Sequence, residues 1–292
     1  MIVENMIVSP EEIRAEMSKL LKDYSAEVTA PDRKSLDAAA DMMDPGSRVY
    51  IASLPSDTAD RLVSAASHLK KAGLVPVPHI VARNIKSEKA LDELLARLAG
   101  EAGVDRALVL AGDRDDAAGD LDCSLQIIQT GLLEKHGISK IAIGTYPEGH
   151  PRISNEVLDV ALKDKLAAAE KANLETVTIS QVCFESKPIL DHIRRLRAQG
   201  INNRIRIGVA GPAKKTTLLK YAMICGVGAS MRALKERKSL MKNLATGETP
   251  EKVLTELAIA QLQEPSLNIW GIHFFTFAAF ANSINFVAKF RD

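Results

Sequence analysis

Short β-rich apolar runs alternate along this sequence with longer stretches that repeat apolar residues at helical spacing. Most of the runs are nearly continuous in Val, Ile, Leu and Ala, which is typical of parallel strands covered on both faces. We count eight, at residues 24–29, 48–53, 74–80, 106–111, 140–145, 175–181, 204–210 and 269–276. Because eight parallel strands can close a barrel, the sequence predicts an α/β fold: a (β/α)8 TIM barrel, forming a single domain over residues 1–292 with an extra N-terminal helix.

Capping residues mark several of the predicted helices. Residues 9–12 read Ser-Pro-Glu-Glu, a capping box with proline at the first helical position, and predict the extra helix before the first strand. Ser87 begins another helix, and we expect Gly100 to end it in the left-handed conformation. Residues 211–265 need at least two helices, with a loop around residues 245–250.

Composition narrows the classes of partner. The 38 basic and 37 acidic side chains alternate along the chain, so we expect no nucleic-acid partner. The N-terminus has no basic start followed by an apolar core, and no apolar run reaches membrane length, so we expect a cytoplasmic protein without a membrane partner. Cys123, Cys183 and Cys225 lie far apart and lack C-x-x-C spacing, which predicts reduced thiols in or near the core and no metal site.

Polar residues interrupt the apolar context near the ends of several predicted strands. They are Glu27 in SAEVTAPD, His79 in Val-Pro-His, Asp113 in Ala-Gly-Asp, Tyr146 and His150 in TYPEGHP, and Gln181 in Ser-Gln. In barrels of this kind the active site forms where strands end and their following loops begin. These side chains are therefore the first candidates for chemistry.

In order and spacing, these segments resemble the methylenetetrahydrofolate reductase family. That family shows a Glu followed by prolines at the first strand, Pro-His at the third, Arg-Gly-Asp at the fourth, Tyr-Pro-Glu-x-His-Pro after the fifth and Thr-Gln at the sixth. TYPEGHP is the most specific piece, and residues 272–276 resemble the closing His-Phe-Tyr-Thr segment. The resemblance implies reduction of 5,10-methylenetetrahydrofolate to 5-methyltetrahydrofolate, with FAD bound and NADH or NADPH as co-substrate.

The resemblance assigns catalytic roles to Glu27 and Asp113. Glu27 is implied to be the general acid that helps open the five-membered ring, because the iminium forms only if the leaving nitrogen receives a proton. Asp113 is implied to lie between flavin and pterin, where it contacts both. Taken from the residues alone, two structural readings stay open: Glu27 paired with a Lys or Arg, and Asp113 as a turn residue after Gly112.

Other residues are implied to bind the two ligands. Gln181 and Phe275 are implied to bind folate together with Glu27 and Asp113, and a Gln offers both a donor and an acceptor to the pterin edge. The implied cofactor-binding residues are Ser53, His79, Gly112, Asp113, Tyr146, His150 and Lys165, the last as a point charge on the phosphates. A solvated Lys165 and structural roles for Gln181 and His150 stay open.

Three departures from the family pattern leave two other functions open. Ala111 replaces the basic residue before Gly-Asp, EVTAPD replaces an aromatic-rich segment, and Ala278 and Ala279 replace polar residues that include an Arg. The alternatives are flavin-free hydride transfer from NADH or NADPH directly to the folate, and a non-redox folate-binding barrel serving a methyl-transfer pathway. The sequence leaves a homo-oligomer open, and we expect no regulatory domain beyond Asp292.

Overall fold

A computed structural model of the chain describes residues 8–224 and 249–291. Its strands form a closed barrel in the order β1-β2-β3-β4-β5-β6-β7-β8. They are β1 (Ser25–Thr29), β2 (Arg48–Ala52), β3 (Val75–Val81), β4 (Arg106–Leu110), β5 (Lys140–Thr145), β6 (Glu175–Ser180), β7 (Ile205–Ala210) and β8 (Ile269–Phe275). The consecutive pairs from β1 to β5, and the pair β7 and β8, are parallel. The predicted (β/α)8 barrel is confirmed.

Burial explains why the apolar runs form strands. All of β7 is buried, and β3 is buried at every position except Val75. A strand whose side chains are all covered gains hydrophobic free energy on both faces, so its run of apolar residues is continuous rather than alternating. Each strand begins and ends within one residue of its predicted bounds.

Helices follow the strands and precede β1. They are α1 (Pro10–Lys22), α2 (Arg33–Met42), α3 (Ala59–Lys71), α4 (Glu88–Ala102), α5 (Ser124–Gln129), α6 (Leu132–Lys135), α7 (Asn155–Lys171), α8 (Ser186–Ala198), α9 (Lys215–Ile224), α10 (Glu251–Gln263) and α11 (Phe280–Ala288). At the start of α1, the Ser9 N–H donates to the Glu12 carboxylate at 2.8 Å, and the Glu12 N–H donates to Ser9 Oγ at 3.2 Å. The predicted capping box and extra N-terminal helix are confirmed.

The predicted end of α4 at Gly100 is wrong. The helix continues to Ala102, and Gly103 takes the left-handed conformation with φ 56°. The Gly103 N–H donates to the Ala99 carbonyl at 3.0 Å. A glycine inside a helix costs about 1 kcal/mol relative to alanine, and burial of Ala102, which is 1% exposed, helps to offset that cost.

The segment after β7 contains two described helices, α9 and α10, as predicted. The predicted loop at 245–250 lies largely outside the described residues, and so does Cys225. Cys183 is buried and Cys123 is partly exposed, and both are free thiols. Over residues 8–224 and 249–291, no helix is long and apolar enough to cross a membrane.

By its internal contacts the chain divides into two compact units, each made of several chain segments. The first comprises Met1–Tyr24, Tyr146–Ser154 and Ile179–Asp292, and the second comprises Ser25–Thr145 and Asn155–Thr178. The second unit therefore holds β1 to β5, and the first holds β7 and β8. The assignment of residues 1–292 to a single domain stays a prediction.

Candidate active site

The candidate residues lie at the carboxyl ends of their strands or in the loops that follow. In the second unit, these are Glu27 in β1, Ser53 after β2, His79 in β3 and the pair Gly112 and Asp113 after β4; Lys165 lies on α7. In the first unit, they are Tyr146 and His150 after β5, Gln181 after β6 and Phe275 at the end of β8.

Glu27, in the middle of β1, and His79, near the end of β3, come together. His79 Nε2 lies 3.4 Å from Glu27 Oε2, and their side chains are 8% and 19% exposed. His79 Nε2 has no hydrogen-bond partner among the described residues. The contact with Glu27 is therefore electrostatic, at a distance longer than a typical hydrogen bond. The His79 ring also meets Tyr50 edge to face, with centroids 6.3 Å apart. A largely shielded carboxyl group therefore sits beside an imidazole at a strand end.

The loop that carries Gly112 and Asp113 is held against the short 3-10 turn Ala82–Asn84 that follows β3. The Arg83 N–H donates to the Ala111 carbonyl at 2.9 Å, and the Arg83 carbonyl accepts from the Ala118 N–H at 2.9 Å. Gly112 has φ +102°, and a Cβ there would overlap Val81 Cγ1. The close approach of the two segments therefore requires glycine, whereas Asp113 itself is exposed.

Arg83, which the sequence analysis does not single out, lies against the β4 loop. Its Nη2 donates to the Asp115 carbonyl at 3.0 Å. Its Nε is buried and has no hydrogen-bond partner within the described ranges. The available signal is a cation two residues after the end of β3 at Val81, but Arg83 belongs to none of the motifs that carry the resemblance.

Lys165 is a partly buried cation on α7. Burial lowers the pKa of its ammonium group, while the electrostatic interaction with Cys123 raises it in part. No hydrogen bond or ion pair joins Lys165 to another residue in the described part of the chain. The Lys165 ammonium group is thus partly shielded from water, and its contact with the phosphates of a cofactor stays a prediction.

The TYPEGHP loop folds back on itself. Gly149 N–H donates to the Tyr146 carbonyl at 3.0 Å, and Tyr146 meets the His150 ring edge to face at 5.4 Å between centroids. The Arg152 N–H donates to His150 Nδ1 at 3.2 Å. His150 therefore has a structural bond in its own loop, and its Nε2 is the ring atom that carries the proton in the neutral form.

Gln181 has its amide oriented by the backbone. Its Oε1 accepts from the Val182 N–H at 2.8 Å, and its carbonyl accepts from Ser180 Oγ at 3.0 Å. Ser180 Oγ in turn accepts from the Gly208 N–H at 2.8 Å. Because the amide oxygen is engaged, the amide nitrogen is the group that Gln181 can offer to a ligand.

Phe275 belongs to a column of aromatic rings. It stacks on Phe277 with centroids 6.1 Å apart, and Phe277 stacks on Tyr221 at 4.3 Å. Both Phe277 and Ala278 have positive φ, 47° and 61°, a conformation that is rare for residues with a side chain. The backbone after β8 is thus strained where it presents these rings.

A buried thiol joins the loop after β6 to the TYPEGHP loop. Burial raises the pKa of Cys183 well above its usual range, and the charge of Glu148 and a hydrogen bond to it raise the pKa further. Cys183 therefore stays protonated and donates to the Glu148 carboxylate. Elsewhere, no group of three His, Cys, Asp or Glu among residues 8–224 and 249–291 could hold a metal ion.

The model of the family described as methylenetetrahydrofolate reductase matches residues 21–287. The chain belongs to the methylenetetrahydrofolate reductase family. It is therefore an oxidoreductase that acts on methylenetetrahydrofolate, and the resemblance read from the strand-end motifs is confirmed.

Similar solved structures include two of dihydropteroate synthase from Thermus thermophilus, one of them in complex with 6HMPPP. Their sequences are 13% and 12% identical to this chain, and the TM-scores are 0.46 and 0.47. The alignments cover 91% of this chain and 93% and 92% of the two synthase chains. The fold of this reductase-family chain rests on its own strand order rather than on these two structures.

The residues near the β4 loop of this family member suit an anionic cofactor. Arg83 has a buried N–H without a partner in the described chain. Lys165, on α7, is a second cation, and burial lowers its pKa. Phosphate oxygens would satisfy such donors.

Proposed function

We propose that this protein reduces 5,10-methylenetetrahydrofolate to 5-methyltetrahydrofolate with NADH or NADPH, through bound FAD. The proposal is carried by the contact between Glu27 and His79, which places a carboxyl group of 19% exposure beside an imidazole at 3.4 Å. Family membership supports the substrate. The cofactor, the co-substrate and the residue roles are the proposed part.

Glu27 acts as the general acid. Opening the five-membered ring of the substrate needs a proton on the nitrogen that leaves the methylene carbon, and the Glu27 carboxyl donates it. His79 Nε2, 3.4 Å from Oε2, orients the carboxyl for this transfer.

FAD, when bound, carries hydride from the nicotinamide to the one-carbon unit. Lys165 on α7 supplies a positive charge for its phosphates, and the backbone of Gly112 in the β4 loop is a further proposed contact. Asp113, which is exposed at the same loop, contacts both flavin and folate in this proposal. Ser53, His79, Tyr146 and His150 complete the proposed cofactor contacts.

Gln181 and Phe275 are proposed to bind the folate. The Gln181 amide nitrogen donates to an acceptor on the pterin edge, because its amide oxygen is engaged by the Val182 N–H. Phe275 offers a partly exposed ring that is held by Phe277 and His273. An aromatic ring suits the flat faces of the pterin and its aryl group.

Glu27→Gln tests the proposal because it separates the two half-reactions. Oxidation of the nicotinamide by an artificial electron acceptor needs no proton on folate and should stay nearly unchanged. Reduction of methylenetetrahydrofolate should fall by about 100-fold or more. Glu16→Gln is the matched control, since Glu16 is also shielded, at 8% exposure, but pairs with Lys19 at 3.2 Å. Equal losses in both half-reactions of Glu27→Gln would show that Glu27 is structural.

A flavin-free reductase is the second candidate, and Ala111 favours it because the family pattern has a basic residue there. In that case hydride passes directly from the nicotinamide to the folate. Titration of the protein with FAD separates the two, since a bound flavin changes its absorbance and quenches its fluorescence. No change on titration, with folate reduction intact, would establish the flavin-free route.

A further inference from the structure

Arg83 occupies a position from which its side chain reaches the β4 loop. Its backbone N–H donates to the Ala111 carbonyl at 2.9 Å, so residues 83 and 111 are direct neighbours across the two segments. A Cβ on Gly112 would lie 3.7 Å from the Arg83 Cβ. The Arg83 side chain therefore leaves the backbone beside Gly112, next to position 111 in the β4 loop.

The described part of the protein provides hydrogen-bond acceptors for only some of the N–H groups of the Arg83 guanidinium. Nη2 donates to the Asp115 carbonyl at 3.0 Å, while Nε is buried and has no partner in the described part of the chain. A buried charged donor without a partner costs free energy, so such groups call for an acceptor. Arginine carries five N–H donors in a planar fork that matches two phosphate oxygens at once.

We propose that Arg83 binds a phosphate of the dinucleotide cofactor and replaces the cation that is missing at position 111. This inference rests on the proposed use of FAD. It also accounts for the alanine at position 111, because the positive charge is supplied from the adjoining turn instead.

The charged side chains of the β4 loop near Arg83 are either exposed or bonded within their own loop. Asp113, Asp115 and Asp116 are exposed, so water and salt screen their repulsion of an anion. Arg114 is engaged with its own loop, because its Nε donates to the Asp116 carbonyl at 3.2 Å. Arg83 itself is only partly exposed, so a phosphate bound to its guanidinium is less screened than one at a fully exposed cation.

Binding of FAD and of riboflavin to Arg83→Met tests the inference without measuring turnover. Methionine keeps an unbranched stem and removes the guanidinium. Loss of a charge-assisted hydrogen bond should weaken FAD binding by about tenfold to hundredfold. Riboflavin has no phosphate, so its dissociation constant should stay unchanged. Both constants are measured by fluorescence quenching.

Moving the charge to position 111 provides a test in which FAD affinity should be regained. In the double variant Arg83→Met with Ala111→Arg, a guanidinium returns to the loop from the neighbouring position, and FAD affinity should recover at least tenfold relative to Arg83→Met. Lys86→Met is the matched control, since Lys86 is an exposed cation soon after the same turn. It should leave FAD binding within about twofold, because screened surface charges contribute little.

Several outcomes would overturn the assignment. Equal loss of FAD and riboflavin binding in Arg83→Met would mean that Arg83 only holds the loop through Asp115. Unchanged FAD binding in Arg83→Met would refute the phosphate contact while leaving the proposed function intact. An unaltered protein that binds no FAD would refute the cofactor proposal and this inference together.

Discussion

At the scale of the residue, Gly112 fixes how closely the β4 loop approaches β3. Its φ is +102°, and an added Cβ would overlap Val81 Cγ1. Gly112→Ala should destabilise the protein by about 2 to 4 kcal/mol, because the cost of positive φ adds to that of overpacking. Gly46→Ala is the control: Gly46 has φ +83° with nothing within 4 Å, so it should cost only about 1 to 2 kcal/mol. Urea unfolding measures both, and equal costs would show that the Val81 contact relaxes freely.

At the scale of the element, Asp105 joins the starts of β4 and β5. Its carboxylate accepts from Arg106 Nε at 2.8 Å and from Lys140 Nζ at 3.1 Å. The pKa of Asp105 is lowered to about 2: the hydrogen bond from Arg106 is the largest cause, burial opposes it, and the hydrogen bond from Lys140 adds to the lowering. A lowered pKa stabilises the folded state above the pKa of the unfolded chain, near 3.8, and this contribution is lost as pH falls towards 2.

Asp105→Asn should therefore lower the free energy of unfolding at neutral pH and lose its effect in acid. We expect a difference of about 0.5 to 1 kcal/mol, because the Asp105 side chain is 44% exposed and solvent weakens the pair. Urea unfolding of both proteins between pH 6 and pH 2 measures it. A difference that stays constant over this range would mean that the charge of Asp105 contributes nothing.

At the scale of the molecule, distant parts of the sequence meet around Arg206 on β7. Arg206 is fully buried; its Nη2 pairs with the Asp23 carboxylate at 2.8 Å, and Nη1 donates to the Asp23 carbonyl. Its guanidinium also lies over the Trp270 ring, 4.1 Å from the centroid. Asp23 follows α1, so this contact ties the start of the chain to β7 and β8.

Asp23→Ala should destabilise the protein by about 1 to 3 kcal/mol, because it removes an acceptor from a buried charge. Arg206→Met should cost less, since it removes the charge together with its need for a partner and keeps most of the buried volume. Adding Asp23→Ala to Arg206→Met should then have little further effect. Additive losses in urea unfolding would show that the two side chains do not act as a pair.

The sequence by itself determined the number and bounds of the strands, the start of α1 and the family. These features are local: continuous apolar runs, capping residues and motifs such as TYPEGHP are legible without knowing what lies beside them. The end of α4 was misread because Gly100 and Gly103 are both compatible with a helix end, and burial of Ala102 favours the second.

Only the tertiary structure decided which contacts the individual side chains make. The 3.4 Å contact between Glu27 and His79, the engaged amide oxygen of Gln181 and the unpartnered Nε of Arg83 within the described chain depend on register and loop conformation. Arg83 is the clearest case, because nothing in its own segment shows that Ala111 will lie beside it. Such contacts join residues far apart in the chain, and a pattern with a period of two or 3.6 residues carries no information about them.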